Sequence, residues 1–206
     1  MNPLASITST IALSMGLGWA SGINLYAAIA MLGFMGYTGN MTLPPDLQIL
    51  ADPLVIMAAG GMYVVEFFTD KIPGVDTGWD TIHTFIRIPA GAMLAAAAVG
   101  NVSPAVSVAA GIIGGGLAAG SHATKAGSRV IINTSPEPFS NWAASISEDA
   151  MVFAGLWTSL HHPALFLALL VLFILFAIWL LPRIWRGIKK VFAWLSRFFG
   201  QQTSAP

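Results

Sequence analysis

Charged side chains are concentrated in one short stretch of an otherwise apolar sequence. The stretch runs from Glu66 to Arg87 and holds six of the eighteen Asp, Glu, Lys and Arg residues, together with one histidine. Apolar segments flank it, and a charge at the centre of a membrane helix costs about 2.5–3.5 kcal/mol on insertion scales. The ionisable residues of this stretch are therefore the first candidates for function: Glu66, Asp70, Lys71, Asp76, Asp80, His83 and Arg87.

The spacing of the charged residues predicts stripes on helices, because residues three or four positions apart lie on the same helix face. Three sets have this spacing, and two acids follow them: Glu66 with Asp70; Asp76, Asp80, His83 and Arg87; His122, Lys125 and Arg129; and then Glu148 with Asp149. With Lys71 included, these residues comprise six carboxylates and four Lys or Arg side chains. The two surplus carboxylates need a proton, a cation or water.

These charges have a structural and a functional interpretation. Acids and bases that pair across helices could simply tether those helices. In the functional interpretation they form a polar transport site in which Glu66 and Asp70 bind a cation or relay protons. Two further groups complete this predicted site: Asn24 and His122 line the midplane, while Arg87, Lys125 and Arg129 orient an anionic group beside Asp80, His83, Glu148 and Asp149.

A divalent metal site is a third interpretation. Asp76, Asp80 and His83 offer ligands at helical spacing, and Glu66 or Asp70 could complete a hard oxygen shell. The spacing matches no specific metal signature, and the sequence has no Walker loop, nucleophile elbow or zinc-helix motif. The residues therefore allow a divalent cation as a cofactor but do not identify an enzyme.

The composition predicts an integral membrane protein. Hydrophobic residues make up 56% and charged residues 9% of the 206 positions, and the mean hydropathy is +0.75, whereas soluble domains carry about 25% charged residues. The absence of cysteine excludes disulfides, thiolate metal sites and cysteine nucleophiles. A zero net charge without a soluble basic domain argues against nucleic acid as a partner. The partners left are the lipid bilayer, a small ion, a proton or an anionic solute, and protein.

Six apolar stretches have about the length of a spanning helix, which needs about 20 residues. They fall at about 8–37, 53–70, 84–101, 104–132, 143–160 and 163–182, with prolines between them. We therefore expect an all-α domain of six transmembrane helices over residues 1–182 and a basic amphipathic tail over 183–206 on the inner leaflet. A five-span topology with one re-entrant stretch is the alternative.

Basic residues predict the orientation. Five of them crowd the C-terminal region, which should therefore be cytoplasmic, and six spans place the N-terminus on the same side. The five residues are Arg183, Arg186, Lys189, Lys190 and Arg197.

Spans one and four are longer than a bilayer requires and rich in glycine. Residues 18–24 (GWASGIN) align without a gap with residues 116–122 (GLAAGSH). This match predicts two inverted three-helix repeats, 1–102 and 103–182, whose interrupted helices one and four meet near the midplane. A parallel repeat, or no repeat with glycines that serve only close helix packing, are the alternatives. The same glycines predict a homodimer.

Several segments resemble a bacterial integral membrane family that is known only as a domain of unknown function. They are residues 66–73, 79–92, 122–129, 133–135 and 148–149, and the stretch from Asp70 to Arg87 is the most specific of them. The resemblance implies a multi-pass protein of the bacterial cytoplasmic membrane and supports this choice of residues. It implies neither a substrate nor a reaction.

These observations predict a small-solute or ion transporter, or a channel-like protein, with its polar site in the cytoplasmic half of the helix bundle. One alternative is a membrane-embedded, metal-dependent enzyme that acts on a phosphorylated lipid, with Asp76, Asp80 and His83 around the metal. The second alternative is a scaffold without catalytic activity, in which the charges only hold helices together.

Overall fold

The protein is all-helical over the residues that its computed structural model describes, which are 3–100, 102–134 and 139–200. No strand is present in these ranges, so the predicted all-α class is confirmed. Six α-helices and one 3-10 helix follow one another: α1 (Pro3–Tyr37), the 3-10 helix (Pro45–Ala51), α2 (Pro53–Thr69), α3 (Val75–Ala98), α4 (Pro104–Ile132), α5 (Phe139–His161) and α6 (Pro163–Gly200).

Four of these helices are long and apolar enough to cross a membrane, which supports the predicted membrane protein. They are α1 from Ser6, α3, α4, and α6 as far as Lys190. The 3-10 helix and α2 meet at a bend of 69° and could together form a fifth span. Helix α5, which carries Glu148 and Asp149 among several serines, is not one of the helices that meet both conditions of length and apolar character. The count of six spans therefore stays a prediction.

Helix α1 is the axis of the fold, since every other α-helix packs against it. Its apolar side chains are buried around most of its circumference, as expected for a helix enclosed by others. Leu17 and Leu32 lie in its two halves and are both fully buried.

Glycines allow α1, α3 and α4 to approach closely. A Cβ atom on Gly18 would lie 2.6 Å from the Cα of Gly114, and one on Gly91 would lie 2.6 Å from the Cβ of Ala118. Small residues at such crossings let helix backbones pack without side chains between them. Among the glycines of spans one and four, Gly18 and Gly114 therefore fit the packing interpretation.

The predicted interruption of span one lies at Asn24. Its φ and ψ of −147° and 95° leave the helical region, and its side-chain Oδ1 accepts a hydrogen bond from the N–H of Ala27 at 2.9 Å. A side chain that accepts from the third residue after it is an N-cap. Asn24 therefore ends the first half of α1 and begins the second.

The interruption predicted in span four is wrong, because α4 is a single helix over Pro104–Ile132. The hydroxyl oxygen of Ser121 lies 2.8 Å from the carbonyl oxygen of Trp19 and 2.9 Å from that of Leu117, and donation to Trp19 fastens α4 to α1. A glycine inside a helix costs up to about 1 kcal/mol, and close packing offsets that cost at Gly114. The inverted repeat, which needs two broken helices, stays a prediction without this support.

Helix α6 passes through Pro182 as one continuous helix. The predicted boundary between membrane domain and tail is therefore not a break in secondary structure. Residues 201–206 and, except for Ala193, the side chains beyond Lys190 lie outside the described structure, so the predicted amphipathic face of the tail falls largely there.

Candidate functional site

The predicted polar residues meet in one buried cluster, which we call the charged cluster. Its members come from α1 to α5, and each is at most 8% exposed. It contains Asn24, Glu66, Asp70, Asp76, Asp80, His83, Arg87, His122, Lys125, Arg129, Glu148 and Asp149. Helix α3 begins at Val75, so the stripe predicted from Asp76 to Arg87 does lie on one helix.

Arg87 joins α2 and α3 at the centre of this cluster. It donates from Nη2 to Glu66 Oε1 at 2.6 Å and from Nη1 to Asp80 Oδ1 at 3.0 Å, and all three side chains are fully buried. Short hydrogen bonds between charged groups are the strongest that side chains make. Arg87 is therefore the main counter-charge of Glu66 and Asp80.

Lys125 connects α4 to the break in α1. Its ammonium donates to Asp70 Oδ2 at 2.6 Å, to Glu66 Oε1 at 3.2 Å and to the carbonyl of Ile23 at 3.1 Å. The carbonyls at the end of a helix lack partners and carry partial negative charge, which favours a cation there. Because Asn24 ends the first half of α1, the Ile23 carbonyl is free to bind Lys125.

Arg129 joins α4 to α5 and to the turn after α2. It donates from Nη2 to Glu148 Oε2 at 2.6 Å, from Nε to Glu148 Oε1 at 3.2 Å and from Nη1 to the carbonyl of Asp70 at 2.8 Å. The two bonds to Glu148 form the bidentate arrangement that a guanidinium favours.

Both histidines of the cluster are held by hydrogen bonds. His83 donates from Nδ1 to the carbonyl of Trp79 at 2.9 Å, and its Nε2 lies 3.0 Å from the hydroxyl oxygen of Tyr26. His122 accepts at Nδ1 from Arg87 at 3.3 Å and bonds at Nε2 to the hydroxyl of Thr84 at 2.7 Å.

Asp149 is bound differently from the other five carboxylates. Its Oδ1 accepts from Nδ2 of Asn24 at 3.0 Å, and among the described residues it has no ion pair within 4.0 Å. It is only 8% exposed. Asp149 is thus a buried carboxylate that bonds the residue at which α1 breaks, and Tyr63 is a second side chain close to it.

The family model described as a domain of unknown function, DUF4126, matches residues 11–183. The chain belongs to this family. The match covers the entire charged cluster and confirms the predicted resemblance to a family of unknown function. No curated protein and no solved structure matches the chain.

In this DUF4126 protein, one of the four cations counted from the sequence makes no direct ion pair in the described structure. Lys71 donates to the carbonyl of Phe67 at 2.9 Å and to the hydroxyl of Ser145 at 3.1 Å, and its ammonium lies 3.0 Å from the Phe67 ring centroid. Burial lowers the pKa of this lysine. Because Lys71 has no carboxylate within 4.0 Å in the described structure, only Arg87, Lys125 and Arg129 form ion pairs with the cluster.

Five buried carboxylate oxygens accept no hydrogen bond from the described part of this DUF4126 chain. A buried acceptor without a partner costs about 1–3 kcal/mol, and more when it is charged. These oxygens are Glu66 Oε2, Asp70 Oδ1, Asp76 Oδ2, Asp80 Oδ2 and Asp149 Oδ2. The cluster therefore favours binding of a proton, a cation or water.

The three predicted metal ligands take separate partners. Asp76 Oδ1 accepts from Asn133 Nδ2 at 2.8 Å and from the N–H of Gly74 at 2.9 Å, while Asp80 faces Arg87 and His83 faces Trp79. Within the described ranges, no group of three His, Asp or Glu side chains is placed to hold a metal ion.

Several polar residues of the site were not predicted from the sequence. Tyr26 and Thr84 bond the two histidines, and Asn141 donates to Asn133 at 2.6 Å beside Arg129. The signal that could have identified Thr84 is its position one helical turn after Asp80, on the same face. The asparagines flank residues 135–138, which lie outside the described structure.

Proposed function

We propose that the protein is a small membrane transporter or channel-like protein that moves a proton or a small cation through the charged cluster. The observation that carries this proposal is the imbalance of six buried carboxylates against three ion-paired cations, with five carboxylate oxygens lacking partners. Ionisable residues inside a membrane domain are expensive and commonly mark ion or proton pathways. A scaffold needs only as many charges as it pairs.

The break in α1 supports the same proposal. In many transporters an interrupted helix brings its free ends to the solute site near the midplane. Here the break exposes the Ile23 carbonyl, which binds Lys125, and turns the Asn24 side chain toward Asp149. The interruption therefore lies within the charged cluster.

The exposed basic residues of α6 support the proposed orientation. Arg183, Arg186, Lys189 and Lys190 are all exposed along its C-terminal half. Positive charge beside a membrane helix favours the cytoplasmic side. We therefore propose that the C-terminus lies in the cytoplasm and, if six spans are present, the N-terminus as well, in a bacterial cytoplasmic membrane.

Replacing Asp149 by asparagine distinguishes a transporter from a scaffold. An asparagine oxygen can still accept the hydrogen bond from Asn24, and no ion pair is lost, so the free energy of unfolding should change by less than about 1 kcal/mol. The variant cannot release or bind a proton at this position. In proteoliposomes tested with proton and monovalent cation gradients, we expect its flux to fall at least about tenfold.

Asp46→Asn is the matched control, because Asp46 is exposed on the 3-10 helix and far from the cluster in sequence. Its flux should equal that of the wild type. Equal flux through wild type and Asp149→Asn would contradict the role of Asp149. Wild-type vesicles no leakier than protein-free vesicles to every ion tested would instead favour the scaffold.

The proposed homodimer depends on two glycines that make no close packing contact within the protomer. A Cβ atom on Gly116 or Gly120 would contact no atom within 4 Å, whereas Gly114 faces Ala95 closely. Gly116 and Gly120 therefore leave a narrow strip of α4 open to a second copy. Native mass spectrometry in mild detergent should show a dimer, and a monomer alone would contradict the proposal.

A further inference from the structure

A small opening between α4 and α5, which we call the polar opening for the five polar side chains in its mostly apolar lining, reaches the charged cluster. It is a cavity of about 100 Å³ whose polar lining comes from Ser121, Thr124, Lys125 and Ser128 of α4 and from Glu148 of α5. The opening exists because α4 and α5 barely contact each other. It therefore gives access to Lys125 and Glu148 from the side of the bundle.

An apolar groove adjoins this polar opening. The groove has a volume of about 260 Å³, lies between α5 and α6, and has the buried ring of Trp19 in its floor. Met151 and Phe173 line both cavities, so the two meet along one edge. Apolar atoms dominate the lining of both cavities, and the opening differs from the groove in the few polar atoms that Thr124, Lys125, Ser128 and Glu148 bring to it.

The hydroxyl groups of the polar opening point their protons away from it. Ser121 donates to the Trp19 carbonyl at 2.8 Å, Thr124 to the Gly120 carbonyl at 2.8 Å and Ser128 to the Lys125 carbonyl at 2.7 Å. A hydroxyl has one proton to donate and two lone pairs that accept. Toward the opening, these three side chains can therefore act only as acceptors.

Lys125 and Glu148, the two charged side chains of the opening, also offer no hydrogen-bond donor to a bound group. The three protons of Lys125 have three acceptors already, in Glu66, Asp70 and the Ile23 carbonyl. Glu148 is a carboxylate, and each of its oxygens can accept more than the one bond that Arg129 donates. The polar lining offers acceptors only, so a bound group must supply the hydrogen-bond donors.

The two cavities together form a long site. Glu148 in the polar opening and Thr158 in the apolar groove are ten residues apart on α5, a rise of about 15 Å. A molecule with its head in the polar opening can thus extend an alkyl chain along the groove between α5 and α6.

We propose that this pair of cavities binds a membrane amphiphile with an ammonium head group and an alkyl chain. The ammonium donates to the hydroxyl oxygens of Thr124 and Ser128 and to Glu148. Lys125 lines the same opening, but Glu66 and Asp70 balance its charge. The chain lies over Trp19, between α5 and α6. This site goes beyond ion movement through the charged cluster and does not require it.

Photolabelling in nanodiscs tests the site. The probe is dodecylamine with a diazirine near the end of its chain, and the labelled peptides are identified by mass spectrometry. We expect saturable labelling of α5 and α6 around Met151, Thr158 and Phe173. Unlabelled dodecylammonium should compete with the probe, whereas dodecylsulfonate, which has the same chain and an anionic head, should not.

Two double variants provide the matched comparison. Thr124→Val with Ser128→Ala removes two acceptors from the opening, and we expect half-saturation to require at least about ten times more probe. Thr81→Val with Ser147→Ala removes two exposed hydroxyls that bond their own helix in the same way, and it should label like the wild type.

Three results would overturn the proposal: equal competition by both amphiphiles, labelling confined to other helices, or unchanged half-saturation in the Thr124 and Ser128 double variant. The assay needs no ion gradient, so its outcome is independent of flux. If the wild type shows normal flux but no labelling, only the amphiphile site is contradicted. If it is labelled normally but shows no flux, only the proposed transport is contradicted.

Discussion

Replacing Arg87 by methionine is expected to lower the free energy of unfolding by about 3–5 kcal/mol, a large part of the about 5–15 kcal/mol that stabilises a typical folded protein. Arg87 is fully buried and carries the shortest ion pairs of Glu66 and Asp80. Methionine fills a similar volume but leaves those carboxylates with Lys125 as their remaining counter-charge, at 3.2 and 3.8 Å. Thermal unfolding and denaturant titration in detergent micelles would measure the loss.

Two variants identify the physical cause of that loss. Arg183→Met removes an exposed arginine that lies over the Trp179 ring, and its stability should stay within about 0.5 kcal/mol of the wild type. Adding Glu66→Gln to Arg87→Met removes one of the carboxylates left behind. If unpaired charge causes the loss, this double variant is more stable than Arg87→Met alone; if lost packing causes it, the double variant is no better.

The membership of the charged cluster could be predicted from the sequence because each rule involved is local. Residues three and four apart share a helix face, which places Asp76, Asp80, His83 and Arg87 on one side of α3. Charged faces in an apolar bundle must turn inward and meet, since lipid offers them no partner. Local spacing and the cost of exposure to lipid therefore suffice to collect the residues.

The pairing within the cluster could not be predicted, because it depends on distances between helices. Lys71 is adjacent to Asp70 in sequence, yet its ammonium binds the Phe67 carbonyl and Ser145. Asp70 instead pairs with Lys125 of α4 at 2.6 Å. A count of charges from the sequence includes Lys71 as a counter-cation, and so it underestimates how many carboxylates lack one.

The two predicted helix interruptions show that backbone structure, too, depends on contacts between helices. Glycine followed by a polar residue appears in both long spans, yet only α1 breaks. Asn24 can end a helix because its side chain caps the next one, and Lys125 is placed to bind the freed Ile23 carbonyl. His122, at the aligned position, instead bonds Thr84 and Arg87 of α3 and leaves its own helix intact. Which partner a polar side chain meets across the bundle decides whether the helix breaks.

Gly22→Ala is the second change with a large expected effect, because α1 and α4 cross at this residue. An added Cβ would lie 2.9 Å from the carbonyl carbon of Ala118 and closer still to that residue's oxygen and to the hydroxyl of Ser121. The helices must separate to make room, which costs about 1–3 kcal/mol even though alanine favours a helix. We expect a lower melting temperature and, because Ile23 and Lys125 lie beside the crossing, reduced flux.

Gly120→Ala is the matched control, since Gly120 occupies the position that aligns with Gly22 in the predicted repeat. An added Cβ there meets no atom within 4 Å, so the free energy of unfolding of the monomer should rise by up to about 1 kcal/mol. The two substitutions are thus expected to change monomer stability in opposite directions. Equal destabilisation would mean that α1 and α4 are not packed as described.

If Gly120 lies between two copies of the chain, native mass spectrometry should show Gly120→Ala weakening the dimer while the monomer stays stable. This result would separate packing within the protomer from packing between protomers.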